Sequence, residues 1–182
     1  NDAITLTDVT AAAFPLLDRV EIDGGAGTDT VRGTQVADTI TGDSDDVIFG
    51  AAGDDVVTAN GGSVFGEDGN DLIRLAGSGD GGSGNDRFVT PSGTGPYAGG
   101  TGEDDFAIDY STLPALDIQL TLTDTSVSVG APSLPAVNVP VTSMEHASLT
   151  TPMGGTHIVD GSGYSGSLTA HGGEGTDTIT GG

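Results

Sequence analysis

Apolar residues recur along this chain in a fixed relation to glycine and aspartate. In the stretch 24–32 (GGAGTDTVR), glycine holds positions one and four, aspartate position six and an apolar residue position eight. The pattern returns at 50–58 (GAAGDDVVT), 66–74 (GEDGNDLIR), 81–89 (GGSGNDRFV), 99–107 (GGTGEDDFA) and 172–180 (GGEGTDTIT). Position eight is Val31, Val57, Ile73, Phe88, Phe106 or Ile179. An apolar residue two places past each aspartate fits a short strand whose alternate side chains face a core. Strands are predicted to begin near Val31, Ile40, Ile48, Val57, Ile73 and Phe88. Units of this period, repeated in register, predict an all-β, parallel β-solenoid in which each coil buries its apolar residues against the next.

The spacing of the aspartates assigns them to edges. Residues 33–49 hold degenerate copies that keep Asp38 with Ile40 and Asp46 with Ile48. From Asp29 to Asp55 the step is near half a coil, so successive loops alternate: Asp29 and Asp46 on one edge, Asp38 and Asp55 on the other. Beyond Asp55 each step to Asp71, Asp86 and Asp104 is about one whole coil, so these continue the Asp38/Asp55 edge. The opposite edge is then expected to close by tight turns at 60–62, 77–79 and 91–95, with Val64, Phe65 and Tyr97 on the strands between.

Residues 108–170 lose the repeat but keep β character. Leu116, Ile118, Leu120 and Leu122 alternate with polar residues, as do Val127 with Val129 and Val137 with Val139 and Val141. This predicts a hairpin or irregular rungs with a loop near 130–135. Residues 152–158 read as a degenerate repeat with Thr156 where aspartate would stand. Residues 6–23 read as β-rich, interrupted at Phe14-Pro15. Asn1-Asp2-Ala3-Ile4-Thr5 reads as positions five to nine of a preceding unit, and 181–182 as the start of another, as in a fragment of a longer repetitive protein.

The loop chemistry points to calcium. Ca²⁺ takes about 6–8 oxygen ligands in a tolerant geometry. Glycines let a loop aim carbonyls inward without Cβ clashes, and the aspartate brings charge. One loop cannot fill the shell, so two stacked loops share each ion. Ions are expected between Asp38 and Asp55, Asp55 and Asp71, Asp71 and Asp86, Asp86 and Asp104, and between Asp29 and Asp46 on the other edge, about five in all. Carbonyls in the loops marked by Gly50, Gly53, Gly66, Gly69, Gly81, Gly84, Gly99 and Gly102 are expected to complete the shells, and Asp177 to serve the last repeat.

These units resemble the calcium-binding nonapeptide repeats of the RTX (repeat-in-toxin) family. The matches cover 24–107 and 171–182. The resemblance implies a right-handed parallel β-roll with two nonapeptides per coil, calcium-dependent folding and secretion. It implies no toxicity, because the pore-forming and enzymatic activities of that family lie in other domains. The expected organisation is a β segment and N-terminal cap (1–23), the calcium-binding roll (24–107), irregular β rungs or a hairpin insertion (108–170), and the start of further repeats (171–182).

Composition agrees. The 182 residues carry a formal net charge of −23, with only four Lys or Arg, so nucleic acid and anionic membranes are disfavoured partners. Without counter-ions this charge opposes compaction. Aromatics are 4% and Trp is absent, which leaves a thin aliphatic core. Cysteine is absent, excluding disulfides and thiolate metal sites. No apolar run approaches the ~20 residues of a membrane span. Paired carboxylates at 45–46, 54–55 and 103–105 sit inside repeat loops and read as ligands or solvated groups, not as a glycosidase pair. Three histidines, His146, His157 and His171, read as surface or strand residues rather than a zinc site. Arg74 and Arg87 read as partners of nearby carboxylates, and Ser165 lacks the G-x-S-x-G setting. The sequence thus points to a non-enzymatic, calcium-dependent structural module of a large secreted or cell-surface bacterial protein, contacting calcium and neighbouring repeats. The alternative is the calcium-binding module of an extracellular adhesin or polysaccharide-active enzyme, with a face in 108–170 that contacts cell-surface polysaccharide.

Overall fold

A computed structural model describes residues 1–91, 95–131 and 134–182. Its elements are all strands: β1 (Ala3–Thr5), β2 (Val20–Asp23), β3 (Thr30–Arg32), β4 (Asp38–Gly42), β5 (Val47–Ala52), β6 (Val56–Ala59), β7 (Ser63–Asp68), β8 (Leu72–Leu75), β9 (Ser78–Ser83) and β10 (Arg87–Thr90). They continue with β11 (Tyr97–Thr101), β12 (Asp105–Asp109), β13 (Ile118–Thr123), β14 (Ser126–Ala131), β15 (Leu134–Thr142), β16 (His146–Thr150), β17 (Thr156–Gly163), β18 (Ser167–His171) and β19 (Thr176–Thr180). Together they form a parallel β-solenoid of about 9 turns. The predicted strands are present, each opening one or two residues before its marker.

Up to β12 the chain alternates between two sheets, odd-numbered strands in one and even-numbered in the other. Register in each is fixed by an inward apolar row. One runs Ile4, Val31, Ile48, Val64, Gly79, Tyr97. The other runs Ile22, Ile40, Val57, Ile73, Phe88, Phe106, Ala147. A slip of one residue in any coil would turn its row to solvent. Gly79 interrupts the first row for a steric reason. A Cβ there would lie 2.5 Å from Cε1 of Phe88, whose ring crosses the narrow core. Phe88, Tyr97 and Phe106 then pack in succession, with ring centroids 5.8 and 5.4 Å apart.

The insertion follows a different rule. In the even-numbered sheet β12 pairs directly with β16, and β16 with β18. In the other sheet β15 pairs parallel with β11, and β14 and β13 follow antiparallel before β17 resumes parallel pairing on β13. Two extra strands are thus inserted into one sheet only. Ile118, Leu120, Leu122, Val127, Val139 and Val141 are buried there, whereas Leu116 precedes the strand and Val137 is exposed. The expected hairpin is therefore a three-stranded antiparallel meander. Part of its expected loop, at 132–133, and part of the expected turn at 91–95 lie outside the described residues.

Two expectations change. Residues 6–19 are not β-rich. They form successive turns, with backbone bonds such as Val9 N–H to Leu6 C=O and Leu17 N–H to Phe14 C=O, and strand structure returns only at Val20. Pro15 cannot donate to a ladder, and no periodic apolar row spans this stretch. The turn at 77–79 is tighter than expected, because Ser78 and Gly79 already belong to β9.

Gly79→Ala forces a methyl against the Phe88 ring. It is expected to cost about 1–3 kcal/mol in a denaturant titration. A stability equal to that of the parent chain would show that the core at this coil is not close-packed.

Candidate metal centre

Each long loop places its aspartate at or just before the start of a strand of the even-numbered sheet, so Asp38, Asp55, Asp71, Asp86 and Asp104 stack on one edge. All five are buried, as are Asp29 and Asp46 on the opposite edge. A continuous hydrogen-bond ladder links them. The backbone N–H of Asp38 donates to Oδ1 of Asp55, that of Asp55 to Asp71, Asp71 to Asp86 and Asp86 to Asp104, each at 2.8 Å. Asp29 N–H donates likewise to Asp46 Oδ1 at 2.8 Å, and Asp2 N–H to Asp29 Oδ1 at 2.5 Å. The expected division of aspartates between the edges is the observed one.

The second carboxylate oxygens divide the loops into two classes. Oδ2 of Asp29, Asp55, Asp71, Asp86 and Asp104 is buried and accepts no hydrogen bond. In all five loops position two is left-handed: Gly25 (φ 78°), Ala51 (86°), Glu67 (74°), Gly82 (105°) and Gly100 (110°). In the degenerate loops position two is not left-handed, and its N–H caps the carboxylate. Thr34 N–H donates to Asp38 Oδ2 and Asp43 N–H to Asp46 Oδ2, both at 2.6 Å. Position four is left-handed at Gly53, Gly69, Gly84 and Gly102, where the backbone of the adjacent coil leaves no room for a side chain.

Position-one glycines have another cause. A Cβ on Gly50, Gly66 or Gly81 would meet Oδ2 of its own loop's aspartate and the carbonyl oxygen of the next coil's glycine, at Gly66, Gly81 and Gly99 respectively. In each of these coils a carboxylate oxygen without a donor and a backbone carbonyl oxygen therefore converge where a side chain would otherwise stand. Hard oxygen donors of this kind, the carboxylate carrying formal charge and lacking an N–H partner, suit a divalent cation such as calcium. Among the described residues, no three His, Cys, Asp or Glu side chains converge as a ligand group. Any ion here draws on backbone carbonyls.

Desolvation raises the Asp38 and Asp104 carboxyls above the ordinary range and pushes Asp55 to about 7, Asp71 to about 6 and Asp86 to about 7. Backbone N–H donors partly offset the burial, and at Asp55, Asp71, Asp86 and Asp104 neighbouring carboxylates add to it.

A second ladder, at position five, was not foreseen. Asn70 N–H donates to Asp54 Oδ1, Asn85 N–H to Asn70 Oδ1 and Glu103 N–H to Asn85 Oδ1, at 2.8–2.9 Å. It runs opposite in sense to the aspartate ladder, so each loop is tied to its neighbour by bonds of both polarities. The shared signal was a side-chain oxygen at every position five.

Elsewhere the expectations fare unevenly. Asp177 lies on the edge of Asp29 and Asp46 and is not buried; its Oδ1 is 2.6 Å from Nδ1 of His157. His157, not Thr156, stands in register with Asp177. It lies on a strand, as one of the expected alternatives had it, and is buried there, where its ring stands in the place of the missing aspartate. Arg87 pairs with Asp105 at 3.6 Å, and Arg74 lines an outward depression with Asp109. The chain matches no family model and no curated protein.

Two outcomes are expected. A carboxyl whose folded pKa exceeds its unfolded 3.8 makes the folded state bind more protons, so stability falls as pH rises between about 4 and 7. In chelator, circular dichroism is expected to show more β-structure at pH 5 than at pH 8; identical spectra would contradict the burial of these groups. Separately, Ala51→Gly relieves a left-handed alanine and is expected to stabilise the chain by about 0.5–1 kcal/mol, whereas destabilisation would show that φ there is not strained.

Proposed function

We propose that this chain is a calcium-dependent structural module of a large secreted or cell-surface protein, folding when it meets calcium outside the cell. The observation that carries this reading is the column of buried carboxylates whose Oδ2 atoms lack donors. Asp55, Asp71, Asp86 and Asp104, with the carbonyls of Gly66, Gly81 and Gly99, would hold the ions. Bound calcium supplies positive charge that offsets the desolvated carboxylates. Asp38 and Asp46 are weaker ligands, since both oxygens of each already accept hydrogen bonds, from the N–H and hydroxyl of Thr34 at Asp38 and from the N–H groups of Asp29 and Asp43 at Asp46. Because an unfolded chain has no preformed site, binding free energy becomes folding free energy. The motif resemblance to RTX repeats supports the same reading and the expectation of secretion. Among the described residues no helix is long and apolar enough to cross a membrane.

A second reading, a carbohydrate-contacting face, has one observation in its favour. Phe49 and Phe65 stack at 5.0 Å on the outer face of the odd-numbered sheet, with the Arg32 guanidinium 4.6 Å from the Phe49 ring centre. A depression of about 330 Å³ beside Phe65 is lined by Asp80, Pro96 and Pro140. This lies largely outside the expected 108–170 face. A glycan array on the chain tests it.

The calcium reading is tested by circular dichroism during a calcium titration. A spectrum that calcium and chelator leave unchanged would overturn it. Asp71 adjoins two intervals of the column, so Asp71→Ala is expected to raise the calcium midpoint for folding several-fold. Asp109→Ala, an exposed residue outside the ladder, is expected to shift it much less. Equal shifts would assign the response to bulk acidity.

A further inference from the structure

Resting on the calcium reading, we infer that the column continues past the repeats into one more divalent-cation site, built from Asp104 on one coil and Ser143 and Glu145 on the next. No repeat signature surrounds Ser143-Met144-Glu145. The site is formed by topology, because β12 and β16 pair with Asp105 opposite His146. That register puts Glu145 in the place held by Asp38, Asp55, Asp71, Asp86 and Asp104 in the five coils before it, 41 residues along the chain from Asp104.

Three features match the column. Glu145 Oε2 accepts the Asp104 N–H at 2.9 Å, as Asp104 Oδ1 accepts that of Asp86 at 2.8 Å. The Ser143 carbonyl oxygen and Asp104 Oδ2 converge on the point where a Cβ of Gly99 would stand, as the next glycine carbonyl and the aspartate do at Gly50, Gly66 and Gly81. Asp104 is fully buried, and its Oδ2, aimed at that point, has no hydrogen-bond donor. An unpaired buried carboxylate oxygen is costly, and a cation at this point satisfies it.

The differences set the site's character. From Ser143 to Glu145 the loop has three residues, where Gly99 to Asp104 has six. The longer glutamate side chain spans what the short loop leaves open. The short loop also lacks the extra carbonyls of a full loop. An ion here would take the carboxylates of Asp104 and Glu145 and the Ser143 carbonyl, with water completing a shell of about 6–8 oxygens. It is therefore the weakest site and fills last. Its position gives it a separate consequence. Ser143 follows β15 directly and Glu145 precedes β16, so an ion here ties the end of the meander to the repeat coils.

The test counts calcium ions on the whole chain by native mass spectrometry and calorimetry, for the parent chain and for Glu145→Gln. The glutamine keeps the acceptor for Asp104 N–H while removing the charge. The expected result is loss of the weakest ion, with the tighter ions and the saturated circular-dichroism spectrum retained. Hydrogen exchange over 141–150 is expected to slow at the last calcium step in the parent and not in the variant. An unchanged count and unchanged affinities in Glu145→Gln would overturn this site while leaving the calcium reading intact. Absence of any ion on the parent chain would overturn both. If Glu145→Gln does not fold at saturating calcium, Ser143→Gly decides: it keeps the carbonyl and favours φ 53°, so retention of every ion with equal or tighter last binding is expected, and a lost ion would overturn the site.

Discussion

A column of like charges runs through the middle of the long loops, and the rest of the molecule is arranged around it. Carboxylates one coil apart, withdrawn from water, repel one another and resist ionisation. The fold does not pair them with arginine or lysine, of which it has few. Backbone N–H groups of the preceding coil engage one oxygen of Asp29, Asp46, Asp55, Asp71, Asp86 and Asp104, and five of the second oxygens are left without donors. The apolar rows cannot close without drawing these groups together, because each aspartate stands two residues before an inward side chain. Core and charge are therefore one problem, and a divalent cation between coils, as proposed above, would resolve both.

The conformation of one residue decides how each loop meets that problem. At position two, a left-handed backbone accompanies an open carboxylate, and an ordinary backbone accompanies a capped one. Alanine and glutamate adopt the left-handed state at 51 and 67 despite its cost for side-chain-bearing residues. Strain at such positions marks where a fold has given up local stability for a particular arrangement of polar groups. The position-five ladder holds the loop in place from its other side.

The meander shows how a solenoid absorbs an insertion without losing register. Sheet pairing between β12 and β16 passes over the inserted residues, so the even-numbered sheet continues as though they were absent. The extra strands are taken up by the other sheet, where Leu122 faces Val127 and Val127 faces Val139 in a buried row. Continuity of one sheet is what delivers Glu145 to the head of the carboxylate column.

The period of glycine, aspartate and apolar residues was enough, by itself, to determine the strands from β3 to β12 other than β9, their parallel stacking, the inward row of the even-numbered sheet and the edge on which each of the aspartates from Asp29 to Asp104 lies. Those features follow from short-range geometry, since a strand alternates every two residues and a coil closes at a nearly constant length. What the sequence left undecided depends on contacts between coils. Nothing at Thr34 or Asp43 announces that its N–H caps a carboxylate, because that turns on backbone angles set by the neighbouring loops. His157 stands in an aspartate's place only through its pairing with Asp177, and Glu145 reaches the column only because the residues between β12 and β16 fold away from one sheet. The alternation in 118–141 specified strands but not their direction, since inward and outward faces alternate equally in parallel and antiparallel pairs. Only the packed structure, which had to accommodate two extra strands on one side of a narrow core, made them antiparallel.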